Sequence, residues 1–366
     1  MPLCTALIFA SLVTQAQGGR IVSPQVNPDR TITFRFRAPN AQKVDLGFEG
    51  SANMAMTKGA DGVWSVTSKA MAPDIYGYWF TVDGTATIDP LNTEVKPNML
   101  WVGNLVTVPG SPAEPWEVQD VPRGEVHQHF YKSKLIGDHR DYMVYTPPGY
   151  RSGSAKLPVL YLLHGFSDTA IGWTAVGKAN IIMDNLIAQG KCKPMIVVMP
   201  LGYGVPGFAK PGSAAFGDRI MVMENFQKFR AALTDEIIPQ IEKDYRVSNR
   251  AEDRALAGLS MGGAETLFSG LTNPDKFGYL GAFSSGGLPA NEAPMLFPEL
   301  TPEKAKNLKV LWMACGTEDG LIGFQRGFAK WLTDKGIKVE TKETAGGHWW
   351  MLWRRNLAEF AGKIFK

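Results

Sequence analysis

Between about residues 20 and 110 the chain alternates apolar and polar positions with a period of two, the signature of half-buried strands. In Thr31–Arg37, Ile32, Phe34 and Phe36 share one face while Thr33, Arg35 and Arg37 share the other. Tyr78, Phe80 and Val82 line up in the same way, and Asp83-Gly84 then supplies a hairpin turn. Turn residues recur at Pro28-Asp29, Ala60-Asp61-Gly62 and Asp83-Gly84, a spacing that predicts a small all-β, immunoglobulin-like sandwich over residues 18–108. Residues 109–124, PGSPAEPWEVQDVPRG, carry four prolines and little periodicity, which predicts an interdomain linker.

From residue 125 to residue 366 the pattern changes. Apolar runs at 158–163, 195–199, 254–257, 279–283 and 310–315 are continuous, as expected of strands buried on both faces of a parallel sheet. Helical stretches lie between them. The clearest spans Glu224 to Lys243, where Phe226, Phe229, Leu233, Ile237, Ile238 and Ile241 recur at three- and four-residue steps. Alternating strands and helices predict an α/β domain with a mostly parallel central sheet.

Composition narrows the function classes. Apolar residues at 45% and charged residues at 20% of a 366-residue chain are ordinary globular usage and argue against disorder or a fibre. The net charge of +3 comes with no Lys/Arg-rich run, so no nucleic-acid footprint is expected. Beyond the first twenty residues no apolar stretch approaches the length of a membrane span, and no membrane association is expected. Residues 1–17, MPLCTALIFASLVTQAQ, read as a signal peptide, which predicts a secreted or periplasmic protein. Removal of that segment would take Cys4 with it. Cys192 and Cys315 then make no disulfide framework or metal site.

The candidate chemistry lies just after strand ends, where open α/β sheets hold their ligands. Gly258-Leu-Ser260-Met-Gly262 is a G-x-S-x-G turn between a predicted strand and a predicted helix, the context of a nucleophile elbow. A serine hydroxyl needs a base oriented by an acid, and the α/β-hydrolase order is Ser, then Asp or Glu, then His. Of five histidines only His348 follows Ser260. Between them the run 310–315 ends in Gly316-Thr-Glu318-Asp319-Gly320; Asp319 and Glu318 compete for the acid, and Asp319 is favoured as the shorter side chain. Backbone N–H groups of Met261 and Phe166 are the expected oxyanion hole, with His164 bracing the loop of Phe166. His127, His129 and His139 are expected on the surface, the His127-x-His129 pair lacking a third metal ligand. Tyr203, Phe208, Phe216 and Phe226, together with Trp173, Trp349 and Trp350, are an aromatic set suited to a planar acyl group; Trp173, Tyr203, Trp349 and Trp350 are the candidate substrate contacts. In the sandwich, core packing is the expected use of Trp64, Trp79 and Trp101, with sugar contact the alternative.

Leu160-Tyr-Leu-Leu-His-Gly, Gly172-Trp173, Met199-Pro-Leu-Gly-Tyr, Gly258-Leu-Ser-Met-Gly-Gly, Cys315-Gly-Thr-Glu-Asp and Gly346-Gly-His together resemble carbohydrate esterase family 1, the esterase-D-like α/β-hydrolases that include feruloyl and acetyl xylan esterases. The N-terminal sandwich is similar to the early-set domains related to carbohydrate-binding module family 48. The resemblance implies an α/β-hydrolase fold, a Ser260–Asp319–His348 triad, no metal or organic cofactor, and ester-linked acyl groups as substrates. It makes a feruloyl esterase acting on plant cell-wall polysaccharide esters, such as those of arabinoxylan, the leading expectation. Acetyl xylan esterase and enterochelin-type siderophore esterase stand as alternatives; a non-catalytic carbohydrate-binding protein is the reading from another class. Arg219, Arg354 and Arg355 leave open a cationic site for an anionic siderophore. Oligomeric state is not legible.

Overall fold

The computed structural model describes residues 21–213, 215 and 217–366; the signal-like segment 1–17 and Phe216 lie outside the described residues. Two antiparallel sheets form the N-terminal domain. In one, Ile32–Arg37 pairs with Val63–Thr67 and is flanked by Gln25–Val26, while Thr57–Lys58 adds to the far side. In the other, Asp74–Val82 is central between Val44–Phe48 and Gly103–Val108. The period-two pattern has its physical counterpart here. Ile32 and Phe34 point from the first sheet onto Leu46, Phe48, Tyr78 and Phe80 of the second, all buried, with the Phe34 and Tyr78 rings 4.8 Å apart. Asp83 and Gly84 both take positive φ, 47° and 89°, and turn Asp74–Val82 into the short strand Thr85–Thr87.

The second domain is built on eight strands: β1 (Glu125–Lys132), β2 (His139–Thr146), β3 (Val159–Leu163), β4 (Ile196–Pro200), β5 (Arg254–Leu259), β6 (Tyr279–Phe283), β7 (Val310–Gly316) and β8 (Glu340–Thr344). Their order in the sheet is β1-β2-β4-β3-β5-β6-β7-β8. The pairs β1–β2 and β2–β4 are antiparallel and all the others parallel. Every residue of β3, β4, β5 and β6 is buried, which is why these runs are continuously apolar. Among the described residues six helices of seven or more residues cover the sheet: α1 (Ala179–Ala188), α2 (Arg219–Ala232), α3 (Ile238–Asp244), α4 (Met261–Thr272), α5 (Ile322–Asp334) and α6 (Trp350–Ala361). This is the α/β-hydrolase arrangement.

The helix expected over 224–243 differs in two respects. It begins at Arg219, where the Asp218 carboxylate accepts from the amides of Ile220 and Met221 at 2.9 and 3.1 Å. A π turn, Leu233–Ile237, also separates α2 from α3. Pro239 follows directly; it has no N–H and its ring crowds the preceding turn, so a widened turn accommodates it.

Residues 109–124 are packed rather than free. Trp116 is buried, and the Asn185 amide of α1 donates to the carbonyls of Pro115 and Glu117, both at 2.8 Å. Proline content reports the lack of a regular ladder, not of contacts. The two domains are joined below this strap by an ion pair. Arg354 of α6, fully buried, donates from Nη2 to Asp74 Oδ1 at 2.8 Å, and also to the carbonyls of Val176 and Ile75. Arg355 reaches the other Asp74 oxygen at 2.5 Å.

Candidate active site

Ser260 stands between β5 and α4 with φ 54° and ψ −116°, a conformation that a non-glycine residue holds only under constraint. The constraint is visible. Its N–H donates to Phe283 O of the neighbouring strand at 2.8 Å, and its carbonyl starts α4 by accepting from Ala264 N at 3.1 Å. A Cβ at Gly262 would stand 2.4 Å from the carbonyl oxygen of His164, so only glycine lets the first turn of α4 approach β3. This pushes the serine hydroxyl out over the edge of the sheet.

Two loops bring the partners in. After β7, Thr317 N donates to Thr344 O and Glu318 N to Gly346 O, which ties this loop to the one after β8. Across that seam His348 Nδ1 lies 2.8 Å from Asp319 Oδ2, and His348 Nε2 lies 2.9 Å from Ser260 Oγ, linking residues 88 positions apart. A carboxylate only accepts, so Nδ1 carries the proton and Nε2 is left to accept from the serine. Asp319 is buried whereas Glu318 is exposed. Burial pushes the Asp319 carboxyl up, but the hydrogen bond and charge of His348, the Leu321 amide and the Ser284 hydroxyl outweigh it and hold the group below its ordinary range. Ser284, with φ 48°, also accepts from Trp353 Nε1 at 3.1 Å, and the Trp353 ring stands edge-on to His348 at 4.8 Å. Sequence reasoning missed both as supports.

The loop after β3 passes beside the nucleophile: a Cβ at Gly165 would stand 3.3 Å from Ser260 Cβ. Phe166 follows. Met261 is the first residue of α4, and its N–H is among those with no acceptor inside the helix. His164 is buried, with Nε2 accepting from Gly202 N at 2.9 Å and Nδ1 donating to Gly165 O at 2.7 Å. Burial lowers its pKa to about 4, so it is a neutral brace for the loop. Asp168, also buried, closes the turn by donating from its N–H to Gly165 O at 3.2 Å; desolvation raises its carboxyl to about 7 despite Lys96 and the amide of Asn98. Glu265 of α4 is fully buried, its carboxyl raised well above the usual range by desolvation, and it accepts from Asn225 Nδ2 at 3.1 Å. Asn225 in turn holds the amide of Gly204 at 2.8 Å.

The aromatic set is largely core. Trp173 has no exposed surface: its Nε1 donates to Leu163 O at 2.9 Å and its ring meets Trp350 edge-on at 5.2 Å. Trp350 is buried with it, so neither contacts substrate; their indoles fill the layer between α6 and the sheet. Tyr203 is buried too, its hydroxyl donating to Asp168 O at 2.8 Å, and it supports the loop of Phe166 from beneath instead of lining a slot. Phe208 and Phe226 are buried. Trp349 is 38% exposed and next to His348. In the sandwich, Trp64 is core as expected, but Trp101 is 66% exposed with its ring 6.5 Å from that of Phe166. No periodicity in 97–102 could have signalled this, because the segment is irregular.

Arg354 and Arg355 are held by Asp74, and Arg219 by Glu292 and Gly287 O, so these three guanidinium groups do not form a free cationic site. His127 pairs with Glu125 at 3.3 Å, and His129 stacks on Tyr142 while meeting Tyr245 OH, half-buried rather than on the surface. Among the described residues no group of three or more His, Cys, Asp or Glu is placed to hold a metal ion. No helix among them is long and apolar enough to cross a membrane.

The family described as "Putative esterase" matches residues 133–364, which include the serine, the acid and the histidine. The chain belongs to this esterase family. A curated relative, an endo-1,4-beta-xylanase/feruloyl esterase of Xylanibacter ruminicola, is 33% identical over 352 residues, covering 94% of this chain; the chain spans 46% of that protein's length. A ferulic acid esterase of Anaeromyces mucronatus, solved with ferulic acid, aligns at a TM-score of 0.57 and 25% identity over 68% of this chain and 93% of its own. The enterochelin esterase of Shigella flexneri aligns at 0.70 over 94% of this chain and 95% of its own; at 18% identity it is a likeness of fold alone.

Proposed function

We propose that this esterase hydrolyses hydroxycinnamoyl esters, feruloyl above all, on plant cell-wall polysaccharide such as arabinoxylan, through an acyl-enzyme on Ser260. The observation that carries the reading is the unbroken hydrogen-bond chain from Ser260 through His348 to Asp319, at 2.9 and 2.8 Å. His348 Nε2 takes the hydroxyl proton as Oγ attacks the ester carbonyl, and Asp319 holds the imidazole tautomer and balances its charge. The amides of Phe166 and Met261 receive the oxyanion. His348 then returns the proton to the departing sugar oxygen, and water activated by the same imidazole releases the acid.

Support for the feruloyl group comes from the relatives' chemistry and from aromatic surface at the rim, Trp349 and Trp101. The engaged state of Arg219, Arg354 and Arg355 weighs against an anionic catecholate as the acyl partner. Export, as the opening segment suggests, would bring the enzyme to such polymers, and a glycan-binding role of the sandwich would fall to Trp101 rather than to buried Trp64. The test compares methyl ferulate, acetylated xylan and enterochelin at matched enzyme, with Ser260→Ala beside the parent. We expect methyl ferulate to be turned over fastest and Ser260→Ala to lose at least about a thousandfold. Faster turnover of enterochelin would replace the substrate reading, and parent-like turnover by Ser260→Ala would remove the mechanism.

A further inference from the structure

The sandwich meets the hydrolase domain a second time, at the loop that carries Phe166. Asn98 uses both ends of its amide there: Nδ2 donates to Asp168 Oδ1 at 2.9 Å, while Oδ1 accepts from the N–H groups of Leu100 and Trp101, each at 2.9 Å. Met99 N donates to Ser167 O at 2.8 Å, and the Trp101 ring tilts against Phe166. Three consecutive loop residues, 166 to 168, are thus each met by the other domain.

The middle one is strained. Ser167 has φ 67°, and a non-glycine residue keeps such a conformation only where its surroundings over-determine it. Within the hydrolase domain the turn is held by Asp168 N on Gly165 O, by His164 beneath Gly165 and by Tyr203 on Asp168 O. The Phe166 ring also meets that of Phe208 at 6.0 Å, and from the sandwich side residues 98–101 hold the loop.

We propose that the sandwich is part of the catalytic apparatus, with Asn98 and Trp101 acting as positioning residues that hold the Phe166 amide where the oxyanion forms. The inference rests on the serine-esterase reading above. Neither residue has to touch the reacting ester; each acts through the loop. Loss of one oxyanion donor costs about a hundred- to a thousandfold, and a misplacement of about 1 Å about a hundredfold. Loosening the clamp should therefore fall in or below that range and appear in kcat, not in KM.

The experiment uses the full chain. Turnover of p-nitrophenyl acetate and inhibition by phenylboronic acid, whose tetrahedral adduct on Ser260 occupies the oxyanion site, are measured for the parent, Asn98→Ala, Trp101→Ala and Ser260→Ala. For Asn98→Ala we expect kcat to fall about ten- to a hundredfold, KM to stay within about twofold and boronate affinity to fall in parallel. Trp101→Ala removes an exposed ring, which leaves folding secure, and should lose about three- to tenfold in the same two readouts. It decides alone if Asn98→Ala does not fold. Parent-like kcat and boronate affinity in the folded variants, or a loss confined to KM, overturns the proposal. If Ser260→Ala is dead while the clamp variants are parent-like, only the positioning role fails; an active Ser260→Ala instead fails the esterase mechanism beneath it.

Discussion

Asp319 and Asp168 occupy matching places in this molecule. Each follows a buried strand by a few residues, β7 or β3; each carboxyl is shut away from water; each belongs to a loop beside Ser260. Their acidities diverge. Burial pushes both upward, yet at Asp319 the His348 hydrogen bond and charge, the Leu321 amide and Ser284 bring the group below its ordinary value. At Asp168 the charge of Lys96, the Asn98 amide and the Gly165 backbone recover only part, and the carboxyl settles at about 7. Asp168 also lies deeper than Asp319, and depth and donor supply together decide the charge a buried acid carries. The suppliers also differ in origin. Those of Asp319 come from its own domain, whereas Lys96 and Asn98 come from the sandwich.

The sharpest way to break this comparison is Asp319→Asn. An amide can donate where the carboxylate only accepts, which favours the wrong imidazole tautomer, and kcat should fall about ten-thousandfold. Initial rates on a p-nitrophenyl ester check it, and a loss below tenfold would detach Asp319 from the chemistry. Next comes Arg354→Met at the other contact between the domains. It takes away the buried partner of Asp74, leaving only the half-exposed Arg355, and should cost up to about 3–5 kcal/mol, read by urea unfolding followed through tryptophan fluorescence. A cost under 1 kcal/mol would mean that the interface adds little to either fold.

Asp168→Asn probes the pH dependence. With a native pKa of about 7 against an ordinary 3.8, the folded state holds a proton that the unfolded state has released between those values. Stability therefore declines as pH rises through that window, by at most about 4 kcal/mol. The asparagine variant should lose that slope, so unfolding at pH 5 and pH 8 should differ less than in the parent. The lowered pKa of Asp319 works in the opposite sense, its contribution being lost as pH falls through the native value. The smallest effect belongs to Glu318→Gln: activity within about twofold and stability within about 0.5 kcal/mol, because that side chain faces solvent. A large loss of turnover there would mean that the two neighbouring acids share the role.

Much of the scaffold was legible because its signals are local. Alternation marked Ile32–Arg37 and residues 78–82, and continuous apolar runs marked β3 to β7, since burial on one face or two leaves different periods in the sequence. The elbow could be found from Gly258, Ser260 and Gly262, where backbone crowding allows little else. The tryptophans were a different matter. Trp173, Trp350 and Trp101 share one side chain, but two fill the layer between α6 and the sheet while the third stands in water beside Phe166. Nothing in a residue's neighbours along the chain says which face of a packed layer it will meet. The start of α2 at Arg219 was missed for a smaller reason, the Asp218 cap lying in an irregular stretch with weak apolar spacing.

The change from a sandwich to an α/β domain, and the chain order of Ser260, Asp319 and His348, could be read along the chain. Backbone hydrogen bonding and side-chain alternation act over a few residues, and strand ends can be counted. The packed layers were needed to show that Asp319 rather than Glu318 faces the imidazole, which aromatics remain exposed, and that residues 98–101 lean on the loop of Phe166. Those outcomes depend on loops far apart in the chain, Asn98 and Asp168 being 70 positions apart, and are set only when the layers close on one another.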